Sequence, residues 1–111
     1  MSADETRDFL AGFLKLSVKQ RHSVLQNITT HQCLIFRTIT RNILLNQTFD
    51  LKETDKAYLE KNKKVLLQIA NKLTCMEDKK KILLQKPMLI KRIANIALDF
   101  LKDIHAELQE T

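Results

Sequence analysis

The amino-acid sequence predicts an all-α fold, a compact bundle of five to six helices forming a single domain over residues 1–111. The chain contains one glycine and one proline, and sheets and irregular loops use both residues in their turns. Apolar residues recur at spacings of three and four along most of the chain, which is typical of amphipathic helices. Residue pairs typical of helix starts separate these apolar runs. Together the three observations indicate long helices joined by short polar connections.

Helix starts are marked by a pattern called the capping box. A Ser, Thr or Asp followed three residues later by Glu or Gln lets each side chain bind the other's free backbone N–H. Pro87 predicts a further start, because proline suits the first helical turn. The five capping-box pairs are Ser2–Glu5, Ser17–Gln20, Thr29–Gln32, Asp50–Glu53 and Thr74–Glu77.

The first three helices are expected over residues 3–16, 18–27 and 30–46. Each has an apolar face at helical spacing, and that of the third is broad, as expected of a central helix. The residues expected to point inward are Phe9, Leu10, Phe13, Leu14 and Leu16 in the first, Val18, Val24, Leu25 and Ile28 in the second, and Cys33, Leu34, Phe36, Ile39, Ile43 and Leu44 in the third.

The last three helices are expected over residues 51–73, 75–85 and 87–109. Lys56–Glu60 and Glu60–Lys64 should form i,i+4 ion pairs on the first of them. In the last helix basic residues lie near the start and acidic residues near the end, opposite to what the helix dipole favours. The expected inward residues are Tyr58, Leu59, Val65, Leu66, Ile69, Ala70 and Leu73, then Met76, Ile82, Leu83 and Leu84, then Leu89, Ile93, Ile96, Ala97, Phe100, Leu101, Ile104 and Leu108.

Composition favours an intracellular protein without a membrane partner. Hydrophobic residues make up 44% and charged residues 29% of the chain, as in globular domains. The start is acidic and polar, unlike a signal peptide, and no apolar run approaches the roughly 20 residues that span a bilayer. Two cysteines are few for a secreted domain of this size, so Cys33 and Cys75 are expected as reduced thiols, with a Cys33–Cys75 disulfide as the alternative.

Neither a metal or cofactor site nor enzyme activity is expected. His31 and Cys33 are two residues apart, and the close ligand pairs typical of zinc sites do not occur. A catalytic nucleophile is usually exposed by a tight turn, often rich in glycine, whereas Gly12 lies inside a predicted helix, where a close helix–helix contact would explain it. An enzyme centred on Cys33 or His31 is the least favoured interpretation.

The basic stretch of residues 50–92 is the most distinctive functional feature. It holds twelve Lys and Arg residues and six acids, so its net charge of +6 equals that of the whole chain. Such a surface attracts polyanions through counterion release. One arginine and one tyrosine give little means of reading bases, so binding to nucleic acid should be non-specific. The predicted contact residues are Lys61, Lys63, Lys64, Lys79, Lys80, Lys81, Lys86, Lys91 and Arg92.

An alternative explains the lysines as an ordinary solvated surface. The chain would then be a helical interaction module that binds a host or viral regulatory protein through an apolar groove or helix face. That interpretation predicts an exposed apolar patch of more than a few hundred Å².

Three segments resemble a known family. They are Asn42-Ile43-Leu44-Leu45-Asn46, the Lys-rich residues 56–73, and Lys80-Lys81-Ile82-Leu83-Leu84-Gln85-Lys86. In this order they resemble the small basic helical proteins of Maverick or adintovirus-like elements, the large virus-like DNA transposons of animals. The resemblance implies a viral or virus-derived, non-enzymatic protein with a virion-core or accessory role, located in the nucleus or virion. After residue 86 the chain departs from the family, with Pro87 and a regular helix replacing a Gly-rich apolar tail.

Overall fold

A computed structural model describes residues 3–45 and 51–102, and this part of the chain contains helices and short connections but no strands. The all-α prediction is confirmed, but the described residues form seven helices where five to six were expected. Their bounds are α1 Ala3–Lys15, α2 Val18–Gln26, α3 Thr30–Leu45, α4 Glu53–Lys61, α5 Lys63–Ala70, α6 Met76–Gln85 and α7 Pro87–Leu101.

The additional helix arises because the expected helix over residues 51–73 is interrupted at Asn62. This residue ends α4 and begins α5, and its side-chain amide donates a hydrogen bond to the Tyr58 carbonyl at 2.9 Å. Side-chain bonding to nearby backbone competes with a continuous helix, which is why Asn favours helix ends. The i,i+4 pairs expected around Glu60 are absent from the described residues, and Lys56 instead pairs with Glu53 at 3.3 Å.

Helices α3 and α7 form the centre of the molecule. Helix α3 packs against α5, α6 and α7, while α7 also packs against α1. Phe9, Phe13 and Phe36 form an aromatic cluster between α1 and α3, with ring centroids 5.6–5.9 Å apart. The radius of gyration is 12.8 Å, close to the roughly 13 Å expected of a compact chain of about 100 residues.

Most side chains predicted to be inward are buried or half-buried, but two are not. Val18 is 70% exposed and Leu73 is 90% exposed, because Val18 is the first residue of α2 and Leu73 lies in the connection after α5.

Gly12 is exposed as well, and an added Cβ there would meet nothing within 4 Å. The expected close helix contact at Gly12 is therefore wrong. Ile104 and Leu108, predicted to point inward, lie outside the described residues.

The capping predictions have mixed outcomes. Both reciprocal bonds form in Ser17–Gln20 and in Thr29–Gln32, and Pro87 opens α7 as expected. Helix α4 begins instead after Lys52 and α6 after Cys75, neither with a side-chain cap, so the cap positions predicted at Asp50 and Thr74 are wrong. Ser2 and Asp50 lie outside the described residues.

Candidate nucleic-acid interface

The nine predicted contact residues fall into three groups in the structure. Seven lysines reach solvent, since six of them are exposed and Lys80 is half-buried. Lys79 is only 5% exposed, and Arg92 is held in contacts with α4. We call the first group the lysine surface; it consists of Lys61, Lys63, Lys64, Lys80, Lys81, Lys86 and Lys91.

The lysine surface extends over four helices, each of which packs against the next. Lys61 ends α4, and Lys63 and Lys64 form the first turn of α5. Lys80 and Lys81 lie in the middle of α6. Lys86 directly precedes α7, and Lys91 lies within α7. Contacts join α4 to α5, α5 to α6, and α6 to α7.

No side-chain ammonium of the seven lysines forms an ion pair or a hydrogen bond with another described residue. The ion pairs in this part of the chain use other cations, such as Lys56 with Glu53 and Lys102 with Asp99. Glu77 and Asp78 are exposed in the first turn of α6, where the helix dipole favours negative charge. The ammonium groups of the lysine surface are therefore available to an external anion.

Arg92 has a structural role that the sequence pattern did not indicate. Its guanidinium lies 2.8 Å from the Asp55 carboxylate and 4.4 Å from the centre of the Tyr58 ring. Both contacts join α7 to α4, and a guanidinium over an aromatic ring adds a cation–π attraction. These contacts explain why a cation lies near the start of α7 despite the helix dipole.

Lys79 points into the protein because of its position on α6. It lies three residues after Met76 and four before Leu83, so it shares the face that packs inward. Burial lowers the pKa of Lys79 from its ordinary value of 10.5; the Cys33 thiol opposes that shift and the Arg37 guanidinium adds to it. This helical spacing was the signal in the sequence that separates Lys79 from Lys80 and Lys81.

A cavity of about 260 Å³ lies between α3, α6 and the connection that joins α5 to α6. Residues of α3 line one side at spacings of three and four, which places them on one stripe of the helix. Thr30 and Met76 hold the two sides together, with 3.6 Å between the hydroxyl oxygen and the sulfur. The lining residues are Thr30, Cys33, Leu34, Arg37, Lys72, Thr74, Met76 and Lys79.

The two cysteines are free thiols, so the alternative of a Cys33–Cys75 disulfide is wrong. Cys33 is buried and Cys75 exposed. Burial raises the pKa of the Cys33 thiol above its ordinary value of 9.0, although Lys79 and Arg37 partly oppose that shift. Cys33 is therefore an uncharged S–H group near neutral pH.

His31 lies exposed on α3, with its Nε2 atom 3.5 Å from a Glu5 carboxylate oxygen. Among the described residues, no three His, Cys, Asp or Glu side chains are grouped in a way that could hold a metal ion.

Comparison with protein-family models, with curated proteins and with solved structures found no match for the chain. The resemblance to proteins of Maverick or adintovirus-like elements therefore stays a prediction. Within residues 3–45 and 51–102, no helix combines the length and apolarity needed to cross a lipid bilayer.

Proposed function

We propose that this chain binds nucleic acid without sequence preference, through phosphate contacts made by the lysine surface. The supporting observation is that seven lysines on four successive helices reach solvent with no ion pair to a described residue. Uncompensated cations on adjoining helices concentrate positive potential and release condensed counterions when a polyanion binds. Under this proposal the chain is non-enzymatic, with the virion-core or accessory role that the resemblance implies.

The structure narrows the set of contact residues. We leave Lys79 out because only 5% of its surface is exposed, and Arg92 because Asp55 and Tyr58 already engage its guanidinium. The remaining residues are all lysines, which bind phosphates as point charges and lack the planar fork that reads guanine. Discrimination between DNA sequences should therefore be weak.

Charge reversal at matched positions tests the proposal. The double variant Lys63→Glu, Lys64→Glu changes two exposed lysines of the lysine surface. The control Lys15→Glu, Lys19→Glu changes two exposed lysines of α1 and α2 outside it, and both variants alter the net charge equally. We expect the first to weaken binding to a labelled random-sequence DNA duplex about tenfold or more, and the control much less.

Fluorescence anisotropy at fixed ionic strength measures both affinities. Equal weakening by the two variants would mean that only net charge matters, which contradicts a defined surface. Helical circular dichroism of both variants shows whether each remains folded.

The alternative of a protein-binding module stays a prediction. Among residues 3–45 and 51–102, four large apolar side chains are exposed: Val18, Leu67, Leu73 and Met88. They belong to α2, α5, the connection after α5, and α7. If Lys63→Glu, Lys64→Glu binds DNA as the wild type does, these exposed apolar side chains become the residues to test for protein binding.

A further inference from the structure

The planar side chains near the lysine surface bear on which form of nucleic acid that surface fits. Proteins that hold a single strand stack its unpaired bases on aromatic rings or on guanidinium groups. Residues 51–102, which include the whole lysine surface, contain three such side chains: Tyr58, Arg92 and Phe100. All three are half-buried.

Tyr58 and Arg92 are engaged with each other. The guanidinium lies 4.4 Å from the centre of the Tyr58 ring, and it also forms the ion pair with Asp55 at 2.8 Å. The ring packs against the hydrophobic core as well. A base that stacked on either group would have to separate contacts that join α7 to α4.

Phe100 is engaged with the protein interior and lies far from the lysines. It packs against the hydrophobic core from near the end of α7. Lys91 lies nine residues earlier on the same helix, which corresponds to about 14 Å along the helix axis. The lysine surface therefore presents ammonium groups without a planar side chain free for stacking in residues 51–102.

The packing of the helices fixes the spacing of these ammonium groups. Contacts join α4 to α5, α5 to α6 and α6 to α7, and the longest dimension of the molecule is 31 Å. That length corresponds to about nine base pairs of duplex, with one phosphate charge for each 1.7 Å or so of axis. A stiff duplex meets a fixed surface with little loss of freedom. A flexible single strand becomes ordered on binding, a cost that base stacking normally offsets.

We propose that the lysine surface selects double-stranded over single-stranded nucleic acid, an inference that rests on the proposed function. The lysines contact phosphates of the duplex, and the bases stay paired and stacked on one another. The class of ligand is thus a duplex backbone, from DNA or from RNA.

Fluorescence anisotropy with ligands of equal phosphate number tests the preference. A duplex of about 16 base pairs and a thymidine strand of about 32 nucleotides carry nearly the same number of phosphates. We expect the strand to bind about tenfold or more weakly than the duplex. A duplex RNA of the same length distinguishes the two sources, and tighter binding of either duplex than of its own single strand supports the proposal.

Heptalysine is the control for charge density, because a duplex attracts any polycation more strongly than a single strand does. It has as many lysines as the lysine surface but no fixed arrangement of them. At the same low ionic strength, the ratio of duplex to single-strand affinity should be about threefold or more larger for the protein than for heptalysine.

A stacking ring placed among the lysines should change the preference. Leu67 is 47% exposed and follows Lys63 and Lys64 by four and three residues on α5, so it shares their face. Leu67→Trp should tighten binding of the thymidine strand about fivefold or more and keep duplex affinity within about twofold. The matched control Val18→Trp changes a side chain on α2 that is 70% exposed, outside the lysine surface, and should alter neither affinity more than about twofold.

Three outcomes would overturn the preference for a duplex. They are equal affinity for the two forms, a ratio no larger than that of heptalysine, and unchanged single-strand affinity in Leu67→Trp. Each of them leaves the proposed function standing, because the wild type still binds nucleic acid. Absence of binding to either form would instead contradict the proposed function, and the preference with it.

Discussion

Neighbouring lysines in the run Lys79-Lys80-Lys81 have different environments. Lys79 is buried, Lys80 is half-buried and Lys81 is exposed, because successive helical residues are rotated by about 100°. Desolvation of the first ammonium lowers its pKa, while the other two remain available to solvent anions. A uniform basic cluster in the sequence thus divides into a buried charge and a surface charge.

At the residue scale, Lys79→Met should stabilise the protein by up to about 1 kcal/mol near neutral pH. The residue is 5% exposed, and its burial disfavours the charged form of the ammonium, whereas Met has no charge to desolvate. The lowered pKa means that, between this pKa and 10.5, the unfolded state binds more protons than the folded state. The contribution of Lys79 to the free energy of unfolding of the wild type therefore rises with pH across that window. The difference in free energy of unfolding between Lys79→Met and the wild type should shrink accordingly.

Urea unfolding at several pH values checks this prediction, with Lys81→Met expected to stay within about 0.5 kcal/mol of wild type. Cys33, Arg37 and Lys72 line the same cavity as Lys79 and are present in every variant, so the comparison isolates Lys79. A pH-independent difference, or a less stable Lys79→Met, would show that burial does not disfavour the charged form of Lys79.

At the scale of helices, the sequence predicts the existence of an element better than its ends. Ser17 and Thr29 cap their helices as expected. Thr74 does not cap α6, because the helix begins one residue later than predicted and Cys75 occupies the cap position. Each of these three residues is followed three positions later by Gln or Glu. Thr74 lies one residue before the cap position of α6 and lines the cavity beside α3.

The two threonines therefore provide a matched pair of substitutions. Thr29→Ala should lower the free energy of unfolding by about 1 kcal/mol, because its hydroxyl accepts the Gln32 N–H at 3.1 Å. Thr74→Ala removes no helix cap and should change stability by less than about 0.5 kcal/mol. Chemical unfolding followed by circular dichroism measures both, and equal losses would show that Thr74 also caps a helix.

At the scale of the whole molecule, the periodic apolar pattern was sufficient to predict an all-α fold. It could not predict the break at Asn62, because the apolar spacing of Leu59 and Leu66 continues across it. The ion pair between Arg92 and Asp55 joins residues 37 positions apart, a distance over which helical periodicity carries no information. The cavity likewise combines α3 with a connection far along the chain.

Charge distribution is the property of the whole molecule on which the proposed function depends. The stretch of residues 50–92 carries a net charge of +6, and seven of its lysines remain unpaired among the described residues. If five to seven of them contact phosphates, affinity for duplex DNA should fall with a log–log salt slope of about −4.5 to −6.3, at about −0.9 per contact. Different DNA sequences should give nearly the same slope.

The salt dependence of binding to a random-sequence DNA duplex is the most direct test of the lysine surface. Between about 50 and 200 mM salt, this slope predicts that affinity falls by a factor of several hundred or more. The Lys63→Glu, Lys64→Glu variant should also show a shallower slope, by about one unit for each lost phosphate contact. A slope near zero, or no binding even at the lowest salt concentration, would contradict nucleic-acid binding by this surface.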